Sequence, residues 1–155
     1  GVVSGLIDER LRAAVIELAS GVTHLCQQTL RTTVPMLIHG YDYPVPDGRG
    51  YLGGFWVLPG PWLAPGFRKK GYPDNELQMR CDLMVTLIDR FNELVKGIAG
   101  GPGLSHLHYV DLRGTLSQQI QGQAYKGSWN DELHPTEQGF GKVAAKFDEL
   151  IRQIA

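Results

Sequence analysis

The chain carries only two short apolar runs that can serve as buried strands, and this limits its fold more than any other feature. Val34-Pro35-Met36-Leu37-Ile38, bounded by Gly40, is the first, and Leu107 to Leu112 is the second. Pro35 belongs at the start of its strand, where a missing N–H costs no ladder bond. Elsewhere the spacing is helical. Leu11, Val15, Leu18, Val22 and Leu25 recur at four and three, which predicts an amphipathic helix from Leu6 to about Leu30, broken by Thr32-Thr33. Leu77, Cys81, Met84, Ile88, Phe91, Val95 and Ile98 form the clearest stripe, with Asp74 as the expected N-cap and Gly100-Gly101 as the stop. Phe140, Val143, Ala144, Phe147, Leu150, Ile151 and Ile154 mark a last helix.

Strands alternating with amphipathic helices imply a parallel sheet with right-handed crossovers. Two parallel strands cannot cover three helices, and parallel sheets are normally larger and buried on both faces. The expectation is therefore the second half of a larger α/β architecture.

Between the first strand and the long helix, residues 40 to about 73 are punctuated by Gly and Pro yet hold Tyr41, Tyr43, Tyr51, Phe55, Trp56, Trp62, Phe67 and Tyr72. A disordered linker would lack those aromatics. The segment reads either as a long loop packed down by its own rings or as the wall or lid of a substrate cleft.

Composition narrows the partners. At 155 residues the chain is one domain by length, and its net charge of −1 comes without a long charged block. Nucleic acid and anionic membrane are thus not implied. Arg68-Lys69-Lys70 is too short to be more than a solvated run. No signal peptide or membrane span is expected. Cys26 and Cys81 fall on apolar helix faces, predicting free thiols and a reducing, cytoplasmic setting.

The chemistry concentrates in Trp129-Asn130-Asp131-Glu132-Leu133-His134-Pro135-Thr136, between the second strand and the last helix. An Asp three residues before a His on a tight turn can hold the imidazole through Nδ1–H, leaving Nε2 to take a proton. The plain alternative is His134 as a helix-start residue with Asp131 exposed. A metal site is a rival: His106-x-His108 with Asp111 nearby, which His24 and His39 could join, although no Cys or carboxylate cluster is spaced to finish a shell.

Asp131-Glu132-Leu133-His134-Pro135-Thr136, followed by Gly139-Phe140 and an amphipathic helix, resembles the last sequence block of the SGNH/GDSL hydrolases. Met36 to Pro44 and Tyr109 to Leu112 look like the last two strands of that fold. The resemblance implies a three-layer, flavodoxin-like α/β domain over residues 1–155, present here as its C-terminal half: two parallel strands and about three helices. It implies an esterase or lipase-like serine hydrolase acting on a small-molecule ester or thioester through an acyl-enzyme, with His134 as base and Asp131 orienting it. No metal or organic cofactor is called for.

The chain also departs from the family. It contains no Gly-Asp-Ser nucleophile block, no Gly-x-Asn-Asp block for the oxyanion hole and no Gly-x-Ser-x-Gly elbow. Ser4, Ser20, Ser105, Ser117 and Ser128 each sit in the wrong context. The nucleophile is expected upstream in a longer protein, with that missing segment or a second copy of the chain covering the open sheet edge. The competing expectation is an inactive SGNH-like domain that binds a ligand or partner through its aromatic loop.

Overall fold

A computed structural model describes residues 4–51 and 59–154. The chain is α/β. A π-helical turn, Ser4–Leu11, leads into α1 (Arg12–Leu30); β1 (Met36–His39), α2 (Ala64–Lys69), α3 (Leu77–Ile98), β2 (Leu107–Val110) and α4 (Glu137–Ile154) follow. The two strands pair in parallel, Met36 opposite Leu107 through His39 opposite Val110, as the only sheet among the described residues. No described helix is long and apolar enough to cross a membrane.

Contacts divide the chain into two compact units. The first comprises Gly1–Tyr41, Asp89–Asp111 and Leu150–Ala155. Its core is apolar: Ala19, Leu94, Ile98, Leu104 and Leu107 are buried together, with Leu11, Val15, Met36 and Ile38 packed against them. Gly40 is required here, because a Cβ would fall 1.9 Å from the Asn92 Oδ1. The Asn92 amide in turn donates to the Tyr41 carbonyl at 2.9 Å and accepts from the Tyr109 hydroxyl at 2.5 Å.

Several expectations need correction in this unit. The first strand is half-buried rather than buried. The α1 stripe splits, with Leu11 and Val15 packing inward while Leu18 and Leu25 are 69% and 62% exposed. Ala19, one residue beyond the stripe, takes the buried position instead. A 3.5-residue stripe drifts around an α-helix of 3.6 residues per turn, and only a partner on the far side would bury all of it. α1 ends at Arg31, whose left-handed backbone (φ 57°) lets its N–H reach the Gln27 carbonyl at 3.1 Å, just ahead of the expected break.

The second unit comprises Asp42–Ile88 and Leu112–Glu149. Its aromatic segment is not all loop, since α2 forms over Ala64–Lys69 with Pro65 in its first turn, where a proline needs no amide partner. Asp74 does not cap α3 as expected. It lies in a 3-10 turn, Asp74–Glu76, and pairs with Arg68 at 2.8 Å and Arg80 at 2.7 Å, which pulls its carboxyl down to about 2. Arg80 is buried and also donates to the Tyr72 carbonyl at 2.6 Å, so α3 carries a cation among its apolar residues. The α3 stripe is otherwise as expected, with Cys81, Met84, Val95 and Ile98 buried. On α4, Val143 and Phe147 are half-buried but Phe140 is exposed, so the stripe is covered only in part. The thiols are free, and burial is the main cause raising Cys81 to about 11.

Candidate active site

The candidate site is a tight turn in the second unit. Trp129 and Pro135 face each other in an antiparallel bridge. The Asn130 amide donates to the His134 carbonyl at 2.8 Å, and the Thr136 amide to the Ser128 carbonyl at 2.9 Å, closing the segment. Thr136 then caps α4, its hydroxyl oxygen accepting from the Gly139 amide at 3.0 Å while donating to the Gly127 carbonyl at 2.8 Å. Gly139 is the contact point between helix and turn. A Cβ there would stand 2.4 Å from the Ser128 carbonyl oxygen and 2.9 Å from the Pro135 Cβ. The glycine of the Pro-Thr-x-x-Gly-Phe segment therefore has a steric cause.

Within the turn, Asp131 Oδ1 accepts the amides of Leu133 and His134, each at 2.8 Å. Both carboxylate oxygens lie 3.0 Å from His134 Nδ1. The Asp131 side chain is fully buried, whereas that of His134 is 55% exposed. Burial pushes the Asp131 carboxyl upward, but the two amides and the imidazole outweigh it and hold the group below the ordinary carboxylate range. An ionised carboxylate only accepts, so Nδ1 is the nitrogen that donates to Asp131. The plain alternative, with Asp131 turned to solvent, is not what the chain adopts.

Glu132, which no motif in the sequence singles out, anchors this turn to the aromatic segment. It is fully buried, and its carboxylate accepts four backbone amides: Gly48 and Ala64 on Oε1 at 2.9 Å each, Trp62 and Leu63 on Oε2 at 2.6 and 2.7 Å. A buried carboxylate is tolerated only when its charge is met by donors of this kind. With its amide so held, Trp62 places its indole against the His134 ring, centroids 5.3 Å apart and planes at 72°. Trp62 thus stands against the imidazole, a contact compatible with either reading of the aromatic segment; Trp56 lies outside the described residues.

Two more charged residues hold the surroundings. Arg49 bonds Asp47 at 2.5 Å and donates to the carbonyls of Trp129 and Asn130 at 3.0 and 2.9 Å, so the turn is gripped from its other side. Asp42 is buried and accepts the amides of Tyr43, Gly114 and Leu116 at 2.6 to 2.8 Å. Burial wins over those amides and raises its carboxyl above the ordinary range. The available signals were Pro65, which marks a helix start whose amides need an acceptor, and acidic residues beside rings and prolines.

No serine joins His134 among the described residues. Ser128 Oγ accepts the Ser117 amide at 3.1 Å, and Ser117 Oγ accepts the Gln119 amide at 3.2 Å. The rival metal cluster does not assemble either: His106 Nε2 lies 2.7 Å from Thr23 Oγ1, and His39 Nδ1 lies 2.6 Å from the Gly40 carbonyl oxygen. Among the described residues no three His, Cys, Asp or Glu side chains converge as a ligand set. No family model, curated protein or solved structure matches this chain, so its site stands on geometry alone.

Proposed function

We propose that this chain supplies the base half of a serine-type ester or thioester hydrolase. The observation that carries the reading is the buried Asp131 carboxylate at 3.0 Å from Nδ1 of a half-exposed His134. In the proposed step, the proton of an attacking serine hydroxyl passes to His134 Nε2 as the serine oxygen bonds to the acyl carbon. The imidazolium, stabilised by Asp131, returns that proton to the leaving alcohol or thiol. Water then repeats the sequence and releases the acid. The serine and the oxyanion donors come from a segment or copy that also covers the open sheet edge and completes the SGNH-like, flavodoxin-like fold. The free thiols fit a reducing compartment such as the cytoplasm.

The test is fluorophosphonate labelling of the natural full-length protein, paired with a panel of aryl esters. Labelling of one serine, lost in His134→Ala, is the expected result. Ester hydrolysis that survives His134→Ala overturns the reading. A protein that neither labels nor hydrolyses favours the second one, an inactive domain that binds through Trp62 and its neighbours; this reading draws on the Ser117 and Ser128 hydroxyl oxygens, which accept the amides of Gln119 and Ser117.

A further inference from the structure

We propose that Glu132 is a positioning residue of this site, acting by locking the turn at Trp62 so that the indole stays against the His134 ring. It rests on the hydrolase reading only for its effect on turnover. Asp131 holds His134 through Nδ1, a contact at the edge of the ring and not at its faces. Trp62 is the ring found against His134 among the described residues, and it belongs to a segment some seventy residues earlier in the chain. Such a segment docks in one place only if something at the turn specifies it. Glu132 does so with paired charge-assisted bonds: Oε2 takes the consecutive amides of Trp62 and Leu63, while Oε1 takes Ala64 and the separate strand of chain at Gly48. Because it lies directly between Asp131 and Leu133, any shift of the clamp is passed to the residues that orient His134. Glutamate is the side chain this geometry requires. Aspartate is one carbon too short to span the four donors, and glutamine offers one acceptor oxygen and turns two N–H donors toward the other two amides.

The readout is the His134 ring itself, by proton NMR of the natural full-length protein and its variants. Trp62→Leu first measures how far the indole displaces the His134 Cε1–H resonance. Glu132→Gln is then expected to move that resonance to the Trp62→Leu position while the Nδ1–H signal of the Asp131 pair persists. Under the hydrolase reading, kcat/KM for an aryl ester falls on the order of tenfold to a hundredfold, as small misplacements of a reacting group do. Should Glu132→Gln fail to fold, Glu132→Asp keeps the charge and is read in the same way. A folded Glu132 variant with a lowered melting temperature but a His134 resonance at its wild-type position overturns the proposal and leaves Glu132 a purely structural anchor. The NMR result is independent of turnover, so a protein that hydrolyses no ester refutes the hydrolase reading without deciding this one.

Discussion

Both compact units bury apolar side chains, but they differ in how many buried carboxylates stand among them. In the unit with the sheet, Ala19, Leu94, Ile98, Leu104 and Leu107 form an apolar core, and four paired residues on each strand supply the ladder. In the unit with the site, three buried carboxylates, Asp42, Asp131 and Glu132, bind backbone amides of loops. Apolar packing is non-directional and tolerates a helix turned by part of a turn, as the split stripe of α1 shows. A buried carboxylate is directional and intolerant, since removing any of its donors leaves charge or amide unsatisfied. A loop-built site needs the second kind of restraint, and here two of the three carboxylates, Asp131 and Glu132, are adjacent in one turn.

The largest effect that sharpens this contrast concerns rate. Under the hydrolase reading, His134→Ala should lower turnover of the natural full-length protein by roughly 10⁴-fold. It should also cost about 1–3 kcal/mol of stability, because the buried Asp131 carboxylate loses its Nδ1–H donor. Ester assays beside urea titrations measure both; an unchanged rate in a folded variant breaks the assignment. Next comes the apolar restraint, probed at a buried and at an exposed position. Leu94→Ala should cost about 2–5 kcal/mol through its cavity. Leu18→Ser, on the exposed side of α1, should stay within about 0.5 kcal/mol. A large cost at Leu18, or a change in sedimentation, would reveal that a partner covers that face.

Gly139→Ala should destabilise by about 1–3 kcal/mol, because the new methyl meets the Ser128 carbonyl oxygen, which is backbone and cannot swing away. Acid has a smaller, signed effect. The Asp131 carboxyl is depressed in the folded state, so its contribution is complete above the unfolded carboxyl value and is lost as pH falls through the lower folded value. Asp42, raised by burial, contributes with the opposite sign, disfavouring the folded state as pH rises past the unfolded value toward the folded one. Urea stability followed from about pH 7 to about pH 3 should therefore fall less steeply in Asp131→Asn than in wild type. An identical slope removes the buried pair from the account. The smallest effect is at the thiols. Cys81, buried and raised to about 11, should react with a disulfide reagent after half-buried Cys26, and faster labelling of Cys81 would contradict its burial.

What the sequence determined by itself is local. The α3 stripe and the stop at Gly100-Gly101 follow from periodicity and backbone chemistry within a few residues; the two strands form in the expected runs but with other bounds, Met36–His39 and Leu107–Val110. The spacing of Asp131 and His134 offered the pair as only one of two readings, and it was the resemblance of the surrounding block that favoured it. Where the expectation failed, the deciding partner was remote or the helix had a choice of faces. Asp74 had the type and position of a cap, but Arg68 and the buried Arg80 offered its carboxylate stronger, charged partners. The stripe of α1 could not foretell which of its residues would find a core. The tertiary structure alone decided that Glu132 would be the anchor of the turn. Its four donors lie 68 to 84 residues away, and no local pattern in a sequence records which amides a carboxylate will meet once the chain is folded.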